Sequence, residues 1–137
     1  MHFMSEIILH RLMKNYSLRQ LIAKKMKACL RLHDIAFRFA GDEFTIILPA
    51  TIASDAKFVA DRIIARFAHE TIVINEKEIS KITLSIGIAE YQRNERDQQF
   101  VHRADSTMYE AKLREGNSVI ISPEMKELPI TAILKHS

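Results

Sequence analysis

The chain predicts an α+β architecture, an antiparallel-rich sheet with helices packed on it, and three observations carry that expectation. Two short apolar, β-favouring runs, Phe37 to Phe39 and Phe44 to Leu48, flank a turn of Ala40, Gly41, Asp42 and Glu43, the pattern of a tight hairpin. Three longer stretches repeat their apolar residues at helical spacing. Between the second and third of these, Ile79 to Tyr91 reads as a long, mostly buried strand. Strands and hairpins interleaved with amphipathic helices imply helices layered on a sheet.

Residues 1–16 carry the weakest pattern, since Ile7, Ile8, Arg11 and Leu12 permit a helix without requiring one. From Ser17, a candidate N-cap, the residues Leu18, Leu21, Ile22, Met26, Cys29 and Leu30 fall on one helical face, with an end expected near Leu32 or His33. The hairpin follows, with Ile35 to Phe39 as its first strand and Phe44 to Leu48 as its second. Residues 50–54 form a loop, and Ser54 is a candidate cap for a helix whose inner face is Ala56, Val59, Ala60, Ile63, Ile64 and Phe67. Thr71 to Ile74, the polar turn Asn75 to Glu78 and the run from Ile79 form a second hairpin. After the polar stretch Gln92 to Gln98, a helix over 99–114 turns Phe100, Val101, Ala104, Met108 and Ala111 inward. A last strand over Asn117 to Ile121 precedes a tail.

With 137 residues, 47% hydrophobic and 27% charged, the chain suits one domain with one core. No apolar run approaches the roughly 20 residues that span a bilayer, and the amino end makes a poor signal peptide. The single cysteine, Cys29, lies on an apolar helical stripe and reads as a buried thiol, which with the absence of any cysteine cluster points to the cytosol. A net charge of +3 suits a ligand with phosphates. It does not single out nucleic acid, because no Lys/Arg block with interleaved aromatics is present.

The hairpin turn is the first candidate site. Asp42 and Glu43 are adjacent carboxylates at the start of a strand, and such oxygens, together with substrate phosphates, hold hard cations such as Mg²⁺. Acidic residues also occur at hairpin tips simply because turns favour them. Gly41 supplies the bend's conformation.

Arg38-Phe39-Ala40-Gly41-Asp42-Glu43-Phe44 resembles the signature of the GGDEF family, the diguanylate cyclases, with Ala40 in place of the first glycine. Pro49 after the signature strand, Thr83 to Ala89, and Arg103-Ala104-Asp105 with Tyr109, Ala111 and Lys112 match later family motifs in order. The agreement divides the chain into an atypical segment, 1–16, a GGDEF-like domain, 17–121, and a tail, 122–137. The resemblance implies the palm-like fold of nucleotidyl cyclases. It also implies that two GTP molecules on two subunits condense into cyclic di-GMP, with metal ions neutralising phosphates. Asp42 and Glu43 match the catalytic and Mg²⁺-binding acids, Gly41 the glycine that admits the nucleotide, and Lys112 the lysine on the triphosphate. Arg31 and Asp34 match the family's Arg-x-x-Asp inhibitory site for cyclic di-GMP, where an arginine fork suits phosphate oxygens, and Arg62 matches a second arginine of that site.

Other positions depart from the family. Counted back without gaps, the metal-binding Asp of the first strand falls before Met1, and the phosphate-contacting Lys, guanine-contacting Asn and guanine-contacting Asp fall on Met4, Ile7 and Tyr16. A phosphate-contacting arginine is replaced by Gly116. The family's first, central strand is therefore expected to be missing, with an unusual homodimer or strand exchange as one remedy. Three functions follow as expectations: an impaired domain that binds cyclic di-GMP through Arg31, Asp34 and Arg62, an active dimeric diguanylate cyclase, and a structural or dimerisation remnant.

Overall fold

The computed structural model describes residues 4–11, 16–40, 42–69, 72–74, 76–79 and 82–124. Strand β1 (Met4–His10) leads to helix α1 (Tyr16–Lys27), the hairpin β2 (Ile35–Ala40) and β3 (Glu43–Pro49), and helix α2 (Ala53–Ala68). A small hairpin, β4 (Ile72–Ile74) and β5 (Lys77–Ile79), precedes β6 (Ser85–Glu90), α3 (Asp97–Lys112) and β7 (Ser118–Ile121). The five-stranded sheet runs β2-β3-β1-β6-β7, with β6 and β7 parallel and the other pairs antiparallel. The α+β layering and the hairpin around the acidic turn are as the sequence predicts.

The centre of the sheet is a correction. The strand expected to be missing is present: β1 pairs along its length with β3, from Met4 opposite Pro49 to His10 opposite Glu43, and on its other side with β6. The backbone vacancy that motivated strand exchange is filled by the chain's own residues. Met4 and Ile7, the gap-free positions of the Lys and Asn, lie inside this strand, and Tyr16 opens α1.

Alternation along β1 sorts the two faces. Ile7 and Leu9 join Phe44, Ile46, Leu48, Ile86 and Ile88 beneath α1 and α2, which contribute Ile22, Met26, Ile63 and Phe67. Ile8 points the other way, into a smaller cluster with Ala89 and with Phe100, Ala104 and Met108 of α3. Gly87 lets α3 approach this closely. A Cβ there would stand 2.2 Å from the Met108 backbone N and 2.5 Å from the Ala104 carbonyl oxygen.

Several boundaries differ from the periodicity. Helix α1 ends at Lys27 because its last turn tightens, Cys29 N–H donating to Met26 O and Leu30 N–H to Lys27 O, which frees residues 31–34 as a loop. The long strand from Ile79 is interrupted, since Leu84 N–H donates to the Asn117 side-chain oxygen at 2.8 Å before the β6 ladder begins. Helix α2 starts one residue ahead of Ser54 and has no cap from its own N-cap residue. Glu90 Oε1 accepts the Ala53 N–H at 2.8 Å instead. Among the described residues no helix is long and apolar enough to cross a membrane.

Candidate functional site

Two groups of predicted residues assemble, at different ends of the domain. The first surrounds the hairpin turn. Gly41 lies outside the described residues. Asp42 follows it, and Glu43 opens β3, half-buried, opposite His10. Arg11 N–H donates to the Asp42 carbonyl at 3.2 Å, tying the end of β1 to the turn. Lys112, the last residue of α3, stands over the Tyr109 ring with Nζ 5.5 Å from its centroid, a cation–π contact.

Electrostatics places these groups in one neighbourhood. Burial lifts the Glu43 carboxyl above its usual pKa, Asp105 adds to the rise, Lys112 opposes it, and Asp42 adds a little more. The His10 imidazole is held below its usual value, first by burial and then by Lys112, with Asp42 pulling the other way. Sequence reasoning missed His10 and Arg11. Their place follows from pairing between β1 and β3, which no local pattern reveals. Arg11 also keeps a buried Nε with no hydrogen-bond partner.

At the turn Asp42 and Glu43 offer a hard cation two carboxylates, and β1 places the His10 nitrogen, not a carboxylate, opposite Glu43, with the Lys112 charge acting on both His10 and Glu43. Among the described residues no group of three or more His, Cys, Asp or Glu is arranged to hold a metal ion. Gly116, where an arginine is expected, has φ +77°, a left-handed conformation in the loop between α3 and β7 that suits glycine.

The second group surrounds the loop between α1 and β2. Asp34 Oδ2 accepts the Arg31 backbone N–H at 2.8 Å and lies 3.6 Å from Arg31 Nε. The Arg31 guanidinium donates to Thr51 Oγ1 at 2.6 Å. Arg62 reaches across from α2 to donate to the Cys29 carbonyl at 2.8 Å. The Asp34 side chain is 1% exposed, and its Oδ1 has no partner. Beside them a cleft of about 560 Å³ runs between the end of α1 and the second half of α2, where Arg66 and His69 join Arg62 in its lining. Those two residues were not singled out from the sequence. Their spacing from Arg62, four and seven along α2, is the signal that could have found them. Cys29 itself is only partly buried, with its thiol donating to the Lys25 carbonyl.

Residues 17–118 match the model of the GGDEF family, described as the diguanylate cyclase GGDEF domain. Diguanylate cyclase A of Treponema denticola is 38% identical over 102 residues, covering 74% of this chain and 27% of the relative. Diguanylate cyclase DgcM of Escherichia coli is 31% identical over 99 residues, covering 72% and 23%. The chain thus spans about a quarter of the length of these curated relatives. Among solved structures, the GGDEF domain of TpbB from Pseudomonas aeruginosa superposes with a TM-score of 0.74 at 26% identity, covering 98% of this chain and 83% of that one. The GGDEF domain of DgcB from Caulobacter crescentus, solved in complex with c-di-GMP, gives 0.78 at 19% identity, covering 88% and 78%. This last likeness is one of fold.

Proposed function

Because the chain belongs to the GGDEF family of diguanylate cyclase domains, we propose that this signalling domain of cyclic di-GMP metabolism binds the dinucleotide through Arg31, Asp34 and Arg62 while its turn site is impaired as a cyclase. The observation that carries the binding reading is the loop after α1. Arg31 and Arg62 are both bonded onto it, and Asp34 keeps a carboxylate oxygen without a partner. In this reading the two guanidinium forks meet phosphate oxygens, and the buried Asp34 carboxylate holds Arg31 in place for them. Arg66 and His69 enlarge the basic wall.

Impairment rests on the donor set at the turn. Asp42 and Glu43 supply two carboxylates, and His10 stands beside them where β1 would have to contribute an acid. The lone cysteine and the lack of a spanning helix among the described residues fit work in the cytosol. A second reading, an active cyclase that works as a homodimer on GTP, is favoured by one fact. Glu43, Asp42 and Lys112 do converge.

Calorimetric titration of the purified chain with cyclic di-GMP, repeated with Arg31→Ala, tests the proposal. Binding near 1 μM is expected, about 8 kcal/mol, with a loss of roughly tenfold to a hundredfold in the variant. No binding by the wild type would overturn it and leave a structural remnant. GTP turnover that disappears in Glu43→Gln would instead establish the cyclase.

A further inference from the structure

On the side of the sheet that carries α3, the helix covers β6, β7 and part of β1 but leaves a cleft of about 560 Å³ over β1, β2 and β3. Its apolar lining is Ile8, Phe37 and Val101, of which Phe37 and Val101 stay 43% and 37% exposed. Its polar lining is chiefly acidic. Glu6 projects from β1, Asp105 and Asp97 from α3, and Glu43 stands where the cleft meets the turn.

Glu6 sets this cleft apart. It sits in the central strand, opposite Ile47 on one side and Ala89 on the other, so the backbone cannot readily carry it outward. The residue is 2% exposed, and its Oε2 has no hydrogen-bond partner. The charges that weigh most on it, Asp105 and Glu95, are both negative. Arg103 is taken up by Glu95, which it grips through Nε and Nη2 while also donating to the Glu90 carbonyl. A buried, unpaired carboxylate is costly, and a partner that supplies positive charge and N–H donors removes the cost.

From this juxtaposition of an unpartnered Glu6 carboxylate, flanking Asp105 and an exposed apolar floor, we propose that the cleft binds a small organic cation, an ammonium or guanidinium group on an apolar stem. The cationic head pairs with Glu6 and Asp105, and the stem lies on Ile8, Phe37 and Val101. The acidic lining does not suit a bare phosphate, and the cleft adjoins the turn site through Glu43. A metal ion is disfavoured because the described carboxylates include no group of three arranged to hold one. Without a ligand, Glu6 meets its isolation by holding a proton up to a pKa of about 7, and capture of a cation releases that proton.

The test uses the full chain and 1,5-diaminopentane, followed by calorimetry and by amide shifts in two-dimensional NMR, with 1-pentanol and MgCl₂ as comparison arms. Saturable one-to-one binding is expected, with the largest shifts at Ile8, Thr45 and Val101. The affinity should rise about tenfold from about pH 6 to about pH 8 as Glu6 ionises. Asp97, Asp105, Glu43 and His102 also face the cleft, so the pH effect is assigned through Glu6→Gln, which should weaken binding at least tenfold and flatten the profile. Asp105→Asn should weaken it several-fold. No saturation up to about 50 mM, equal affinity in Glu6→Gln, equal binding of 1-pentanol, or displacement of the amine by millimolar Mg²⁺ would each overturn the proposal. The outcome is independent of whether cyclic di-GMP binds at Arg31.

Discussion

At the loop after α1, Arg31 and Asp34 lie within one turn of chain, and Arg62 reaches them from α2 by a single hydrogen bond to Cys29. At the hairpin turn, Asp42 and Glu43 depend on residues brought from β1 and from the far end of α3. The Arg31–Asp34 pair is local, with Arg62 and Thr51 coming to it from further along the chain. The turn site draws on three separate segments, and β1 brings His10 and Arg11 to it. A site assembled from distant segments is the easier one to disturb, because a change in one strand alters it while the fold stands.

Displacing α3 is the harshest way to separate the two regions, because α3 carries Lys112 and Asp105 but none of Arg31, Asp34 or Arg62. Gly87→Ala places its Cβ against helix backbone, at Met108 and Ala104, where no flexible side chain can give way. Overpacking of this kind should cost about 3 kcal/mol, read as a fall in the thermal or urea midpoint. Well below that midpoint, cyclic di-GMP affinity should change less than about threefold, under 1 kcal/mol. An unaltered midpoint would mean that α3 does not approach β6 as closely as described.

How much of this was visible in the sequence differs between the regions for the same reason. The hairpin and the faces of α1 and α2 are local patterns that the periods of two and 3.6 expose, and the Arg31–Asp34 pair stands out through its resemblance to the family's Arg-x-x-Asp motif. β1 was not legible. A strand buried on both faces loses its alternation, and two of its buried positions are Ser5 and Glu6. Ser5 is tolerated because its hydroxyl donates to the Thr51 carbonyl at 2.7 Å, a contact across 46 residues. His10 and Arg11 acquire meaning only from the register opposite Glu43. The end of α1 at Lys27 was missed because apolar Cys29 and Leu30 continue the helical stripe, although the backbone has already tightened into a turn.

A milder perturbation belongs to the α3 side alone. The folded-state pKa of Glu6 is raised from 4.5 to about 7, first by burial, then by Asp105 and Glu95. Between those values the folded chain holds more protons than the unfolded one, so stability falls as pH rises through about 4.5 to about 7 and then levels. The full span corresponds to at most about 3 kcal/mol. Glu6→Gln should therefore match wild type at the acid end of the window and exceed it by about 2 kcal/mol above neutrality, measured by denaturant unfolding at several pH values. Parallel stability curves for the two proteins would show that Glu6 ionises normally.

The smallest effect sharpens the arginine side. Thr51 Oγ1 accepts from the Arg31 guanidinium at 2.6 Å while its own proton goes to the Pro49 carbonyl at 2.8 Å, so the hydroxyl orients Arg31 through a fixed relay. Thr51→Val keeps the shape and removes the relay. Arg31 would retain its contact with Asp34 but lose one of its two anchors. The cost to cyclic di-GMP affinity should be about 1 kcal/mol, roughly fivefold, against the much larger loss in Arg31→Ala. Because Thr51 touches Arg31 rather than the ligand, the loss should vanish in a double-mutant cycle with Arg31→Ala. A Thr51→Val effect that persists in the Arg31→Ala background would mean that Thr51 acts on the ligand directly or on the fold, and not through the arginine.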